Sequence, residues 1–321
     1  MQTSLFNTDA SWPLHINPEH NLDTLLATYE PTSIWVSVSG GIDSDVAAVW
    51  ARRRWPHLPI VLWHAYLAEM DWPQTQDHLE LLAIALGNCR LMIQQAVYER
   101  TGGTTPGGHE SLKLRRSHDV ARFGPAADAD PAAVKTLWDL VAARSNMPPT
   151  SGIRYCTKYL KGQLCDHDLR AHRSELGARP LLLSGERWAE SANRADVPRA
   201  EWRVPLQPSR KRPEGHAVLW MRPVVDLALH QVTRMVLDAA ILPHPGYELQ
   251  GETLAPMLDP HRPERGRARL SCVTCIFGKQ GHLQHAYDIA PDLIGPFVER
   301  AQQFEMTSGY TWQQAGPLII R

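Results

Sequence analysis

The sequence predicts an α/β fold, a doubly wound and mainly parallel sheet with a C-terminal extension, and three observations carry that expectation. Short β-rich runs alternate with segments whose apolar residues recur at helical spacing. A Gly-Gly turn joins the first such strand to the first helix. The 321 residues show no internal repeat and no clear linker, so a single continuous core fits the length.

Taken in order, residues 1–30 carry Pro13 and Pro18 and read as an arm leading to a short helix near 22–29. Ile34-Trp35-Val36-Ser37-Val38 is the first strand, and Val46, Ala47 and Trp50 mark the helix after the turn. A second strand, Ile60-Val61-Leu62-Trp63, precedes a helix with Leu79, Leu82, Ala83 and Leu86 on one face, closed by Gly87 as a C-terminal cap. A third strand falls near 90–93. Strands alternating with amphipathic helices imply parallel pairing and right-handed crossovers.

Residues 101–130 are rich in glycine, proline and charge without periodicity, and read as a long loop or lid. Val134, Leu137, Trp138 and Val141 then share a helical face, and another helix begins near Cys156. Pro180-Leu181-Leu182-Leu183-Ser184 is a further core strand, 187–218 reads as loop, and Val224-Val225-Asp226 opens a helix bearing Val232, Met235 and Val236. The expected organisation is an arm (1–30), a nucleotide-binding core (31–240) and an extension (241–321).

Composition narrows the class. The net charge of −1 excludes a globally basic nucleic-acid binder, although Lys113-Leu114-Arg115-Arg116 and the arginines at 262, 265, 267 and 269 could meet a polyanion. No run of about 18 apolar residues and no leader pattern occurs, so the expectation is a cytoplasmic protein without a membrane partner. Five cysteines suit reduced thiols or metal ligands better than a disulfide framework.

The most informative residues are Ser39, Gly40, Gly41, Ile42, Asp43 and Ser44, between the first strand and its helix. Two glycines let backbone amides approach an anion while the helix N-terminus adds its dipole, which suits a pyrophosphate. The hydroxyls of Ser39 and Ser44 could donate to phosphate, and Asp43 could cap the helix or hold Mg²⁺. No Gly-Lys-Ser/Thr closes the turn and no GxGxxG spacing is present, so neither a Walker A loop nor a dinucleotide fingerprint is written here.

This turn resembles the SGGxDS signature of PP-loop ATP pyrophosphatases, of the adenine nucleotide alpha hydrolase-like fold. Three further stretches are similar to the phosphoadenosine phosphosulfate (PAPS) reductase branch of that superfamily, so the resemblance spans roughly residues 33–279. Arg154-Tyr155-Cys156-Thr157-Lys158-Tyr159-Leu160-Lys161 is similar to its R-x-C-x-x-x-x-K element, which implies that Arg154 and Lys161 meet nucleotide phosphates. Gly185-Glu186-Arg187-Trp188-Ala189-Glu190-Ser191-Ala192-Asn193-Arg194 looks like its G-x-R-x-x-x-S-x-x-R stretch, which assigns Gly185 to the nucleotide and Arg187 and Arg194 to transition-state charge. Solvated arginines and lysines on a helix or loop are the plain alternative for both.

Cys272-Val273-Thr274-Cys275 is the third stretch, and with Cys156 its order resembles iron–sulfur members of the superfamily. Three readings stand: a three-cysteine [4Fe–4S] cluster with one open iron, a Zn²⁺ site with His282, or unligated thiols. Cys165 and Cys89 read as core thiols.

The resemblance implies an enzyme that binds ATP with Mg²⁺, releases pyrophosphate and adenylates an acceptor for sulfur transfer. DNA and RNA thiolation systems are the nearest analogy; a nucleic acid or small molecule would be the acceptor, with a sulfur-donor protein and oligomeric assembly both compatible. A sulfonucleotide reductase is the first alternative, but no cysteine follows Cys275 to serve as its C-terminal nucleophile. A nucleotide-sensing subunit without turnover is the second.

Overall fold

The structure, a computed structural model, describes residues 29–87, 89–126, 133–150, 153–177, 179–191, 194–203, 218–261, 270, 272–273, 275 and 280–308. Seven strands form one sheet in the order β4-β3-β2-β1-β5-β7-β6, where β1 is Ser33–Ser37, β2 Ile60–Ala65, β3 Arg90–Thr104, β4 Glu110–Asp119, β5 Pro180–Ser184, β6 Ala200–Trp202 and β7 Leu219–Met221. β3, β2, β1, β5 and β7 run parallel, and the two outer strands β4 and β6 are antiparallel to their neighbours. The predicted doubly wound, mainly parallel architecture is therefore the observed one.

Alternation along the central strands explains the two-sided core. Ile34, Val36 and Val38 face one side of the sheet with Leu181 and Leu183, while Trp35 and Leu182 face the other. The first side is covered by α1 (Ile42–Arg54), α2 (Thr75–Ala85) and, past the intervening elements, the helix Leu229–Asp238. The second is covered by α3 (Leu137–Ala143) and α4 (Gln163–Ala171), the latter entered through a π-helical turn, Thr157–Gly162. α1 carries Asp43 and Asp45 in its first turn and Arg52, Arg53 and Arg54 in its last, the charge order that complements a helix dipole. Gly87, at φ +80°, turns the chain out of α2 in the left-handed region, as the sequence predicts.

Several expectations need correction. The predicted loop at 101–130 holds the far end of β3, all of β4 and a short helical turn, Val120–Phe123. Leu112 and Leu114 pack on the core from alternate positions of β4, but the intervening Lys113, Arg115 and Arg116 are those of a charged edge strand, which masks the strand pattern. β3 itself continues well beyond 93, past the level at which Gln94 pairs with Ala65, so the β3–β4 ribbon rises above the carboxyl end of the sheet. β6 lies inside the predicted loop 187–218, and the helix expected from Val224 begins only at Leu229. The short helix near 22–29 falls almost wholly outside the described residues.

The C-terminal extension closes over the same end of the sheet. Trp72, Val273, Leu283, Ala286, Ile294 and Val298 form a separate apolar cluster, and the Val273 amide donates to Met70 O at 2.9 Å. Among the described residues no helix is long and apolar enough to cross a membrane. Ile34 is fully buried between sheet and helices, so Ile34→Ala should lower unfolding free energy by about 2–5 kcal/mol, read from urea denaturation midpoints with an unchanged m-value.

Candidate functional site

The crevice that matters is set by topology. From β1 the chain crosses through α1 to β2 on one side, whereas β5 pairs with β1 on the other, so the carboxyl ends of β1 and β5 part at a topological switch point. The turn at 39–44 leaves β1 there, and the 185–187 segment leaves β5 beside it.

Close backbone packing joins the two. A Cβ on Gly185 would lie 2.1 Å from Asp43 O and 2.3 Å from Ser44 N, so only glycine lets the β5 loop lie against the start of α1. Gly185, read from the sequence as a nucleotide contact, is thus a packing residue for the turn. Gly40 takes φ +75°, and a side chain there would also strike the His244 ring at 2.8 Å.

The hydrogen bonds of the turn divide its amides into two sets. Ser39 N–H donates to Ser44 Oγ at 3.1 Å, and the Ser44 hydroxyl donates to Gly41 O at 2.7 Å. The Ile42 amide donates to the Tyr247 hydroxyl at 3.0 Å, and the Ser44 and Asp45 amides donate to Gly41 O. Among the described residues, the amides of Gly40, Gly41 and Asp43 have no acceptor. Amides without a partner are costly, and at a helix N-terminus such groups are suited to receiving an anion. Ser39 is the exposed residue of the turn. Ser44, expected as a phosphate donor, instead holds the turn closed, and Ile42 is fully buried.

Asp43 does not cap α1; the N-cap is Gly41, with no side-chain bond. Its carboxylate accepts from Arg187 Nε at 2.6 Å. Burial pushes the Asp43 carboxyl up to about 6, against the pull of Arg187. Arg187 is buried and also reaches Leu227 O at 3.5 Å. Arg194 pairs with Glu190 and stands 4.0 Å from Glu186. Both arginines are therefore engaged by carboxylates, and Arg187 orients the turn from behind.

The second part of the site gathers thiols. Lys161, in the π-helical turn, lies 3.9 Å from Cys272 Sγ and is held above its usual range first by Cys272, with Cys275, Cys156 and Asp71 adding to the effect. Burial raises the Cys156 thiol, with Cys272 adding to it. Arg154 is half-buried just before this helix. Lys161, expected on phosphate, is thus a thiol partner. Cys165 and Cys89 are buried, as expected, and burial pushes the Cys165 thiol up to about 12. Among the described residues no three His, Cys, Asp or Glu side chains stand as a metal-holding group, and the half-buried Lys161 ammonium lies beside Cys272. The His282 side chain and the arginines at 262–269 lie outside the described residues.

Leu270 connects the two parts. Its Cβ would lie 3.6 Å from a Cβ on Gly41, and Cys272 follows two residues later.

No family model matches the chain, and no curated protein matches it. Among solved structures, the chain is similar to phosphoadenylyl-sulfate (PAPS) reductase from Candida auris, determined as a phosphate complex. Identity is 14%, the TM-score is 0.37, and the match covers 73% of this chain and 85% of that one.

The functional neighbours that sequence reading missed are His64, His78, His244 and Tyr247. They come from β2, α2 and the C-terminal segment, so no local spacing joins them. The expected consequence of the tight β5 contact is direct: Gly185→Ala should destabilise the fold by about 3 kcal/mol or rearrange the turn, seen as a lower urea midpoint. An unchanged midpoint would mean the two backbones can separate freely.

Proposed function

We propose that this chain is a PP-loop ATP pyrophosphatase that adenylates an acceptor for sulfur transfer. The observation that carries the reading is the trio of amides, Gly40, Gly41 and Asp43, which among the described residues have no acceptor at the switch point. A polyphosphate tail supplies the oxygens they lack.

In this scheme an oxygen of the acceptor attacks the α-phosphorus of ATP, the bond to the β-phosphate breaks, and pyrophosphate leaves into the turn. Mg²⁺, carried on the phosphate oxygens, supplies charge neutralisation. The adenylated oxygen then departs as AMP when a sulfur nucleophile attacks the acceptor atom that bears it, breaking the bond between that atom and the oxygen. The chain's part is alignment: the β5 loop fixes the start of α1, Tyr247 fixes Ile42, and the amides hold the departing pyrophosphate.

Sulfur chemistry is favoured by the thiols beyond Leu270. The half-buried Lys161 ammonium stands beside Cys272, and thiolate is the reactive form of a cysteine. A nucleic acid or a small molecule with an activatable oxygen is the acceptor class, and sulfur comes from a donor protein or thiol.

With ATP, Mg²⁺ and acceptor, the wild-type chain should release AMP and pyrophosphate. Gly40→Ala, which strains the turn and meets His244, should reduce that release at least 100-fold while circular dichroism stays native. Release of ADP and inorganic phosphate instead, or full activity in the variant, would reject the reading.

A further inference from the structure

The basic stretch at 113–116 lies apart from the turn and the thiols, on an arm of its own. β3 and β4 stay paired out to Thr104 and Glu110. β3 is buried from Met92 to Tyr98, whereas every residue from Arg100 to Thr104 is exposed. At about 3.4 Å per residue, this exposed part reaches roughly 15 Å beyond the packed sheet. A Cβ added at Gly102 or Gly108 would meet nothing within 4 Å, so the tip stands clear of the rest of the molecule. Two strands alone are marginally stable in water, and a ligand lying along them stabilises them.

A β-bulge sets the direction of the charges. Leu114 lies opposite Tyr98 and Arg116 opposite Val97, so Arg115 is the extra residue of β4. Tyr98 and Leu114 pack in the cluster on one side of the sheet, whereas Val97 packs with Ala126 and Ala133 in another. In a regular strand Arg116, two places after Leu114, would share its side and turn toward the core. The bulge turns it out instead, and Arg115 and Arg116 are both exposed.

The arm keeps an excess of one sign after its own pairs are set aside. Arg100 pairs with Glu110 and Lys113 with Glu99, and these cancel. Asp119 caps the helical turn Val120–Phe123, accepting the Arg122 amide at 3.1 Å. Residues 99–122 hold five Lys or Arg against three Asp or Glu, in a chain whose net charge is −1. Protection of an edge strand accounts for charge on β4, but a bare aromatic ring beside it works against that protection.

Phe123 is that ring. It follows β4 closely, is 64% exposed, and has the Arg122 guanidinium 4.9 Å from its centroid. The His118 ring, whose Nε2 lies 2.9 Å from Gly124 O, stands 6.2 Å away. An exposed ring beside cations is a surface on which an unpaired base stacks while its phosphates meet arginine.

We propose that the β3–β4 arm binds single-stranded nucleic acid, with Arg115 and Arg116 meeting backbone phosphates and Phe123 stacking on a base. This makes nucleic acid the acceptor, and in that respect it rests on the functional reading above. Position agrees with it. Gln94 is level with Ala65 at the carboxyl end of β2, and Arg116 lies opposite Val97, three residues higher. β3 is two strands from β1, so at about 4.8 Å per strand and 3.4 Å per residue the arginines stand on the order of 15 Å from the 39–44 turn, at the same end of the sheet. About five nucleotides at duplex spacing cover that distance.

Fluorescence anisotropy tests the proposal, with a labelled oligonucleotide as single-stranded DNA, as RNA and as duplex DNA, titrated with the full chain over a range of salt concentrations. The single strands should bind more tightly than the duplex. Arg115→Gln combined with Arg116→Gln should weaken binding about tenfold at low salt and reduce the slope of log affinity against log salt by about 1.4. Phe123→Ala should weaken single-strand binding about tenfold at an unchanged slope and leave duplex binding as it was. ATP affinity and thermal unfolding should match the wild type in both variants.

Unchanged oligonucleotide binding in both variants, or a wild-type chain that holds no oligonucleotide at low salt, would overturn the inference, while ATP binding by the wild type keeps the functional reading. An equal loss for duplex and single strands in Phe123→Ala would overturn the stacking role. Oligonucleotide held through the arm by a chain that binds no ATP would remove the functional reading and leave the arm as a nucleic-acid surface.

Discussion

The site depends on one contact, the backbone of the β5 loop lying against the first residues of α1 at Gly185. The atoms of Asp43 and Ser44 stand where a Cβ would be, so the contact exists only because residue 185 has none. Everything nearby follows from holding the start of α1 in that place. The Asp43 carboxylate meets Arg187, the Ile42 amide meets the Tyr247 hydroxyl, and the Gly40, Gly41 and Asp43 amides have no acceptor among the described residues. Unsatisfied amides are normally a cost of folding, and their grouping at a switch point makes the cost recoverable by a bound anion.

The C-terminal extension belongs to the site as much as the sheet does. Tyr247 and His244 pack against the turn, and Leu270 carries the chain from Gly41 toward Cys272. Val273 bonds to Met70 O and packs with Trp72, so the segment after β2 anchors the thiols. The 39–44 turn and the thiols are thereby joined through Leu270, although they lie more than a hundred positions apart in sequence.

Much of this was legible in the sequence. Ile34 to Val38, Leu181 to Leu183 and the turn between β1 and α1 signal themselves by local pattern, because strand alternation and a Gly-Gly turn are properties of neighbours in the chain. The β3–β4 ribbon was not legible. Its charges belong to an edge strand, and the alternating Leu112 and Leu114 are too few to outweigh them. Nor could spacing show that Asp45 would find His78, or that Asp71 would find His64, since those pairs depend on how α1, β2 and α2 come together. Ser44 and Lys161 show the same limit: their types suit phosphate, but their partners are Gly41 O and Cys272.

The most direct test of the central claim follows the three amides themselves. In ¹H–¹⁵N spectra of labelled protein titrated with a non-hydrolysable ATP analogue and Mg²⁺, the Gly40, Gly41 and Asp43 signals should move downfield together and saturate with one affinity. Saturable shifts elsewhere in the molecule, with those three signals unmoved, would contradict the account.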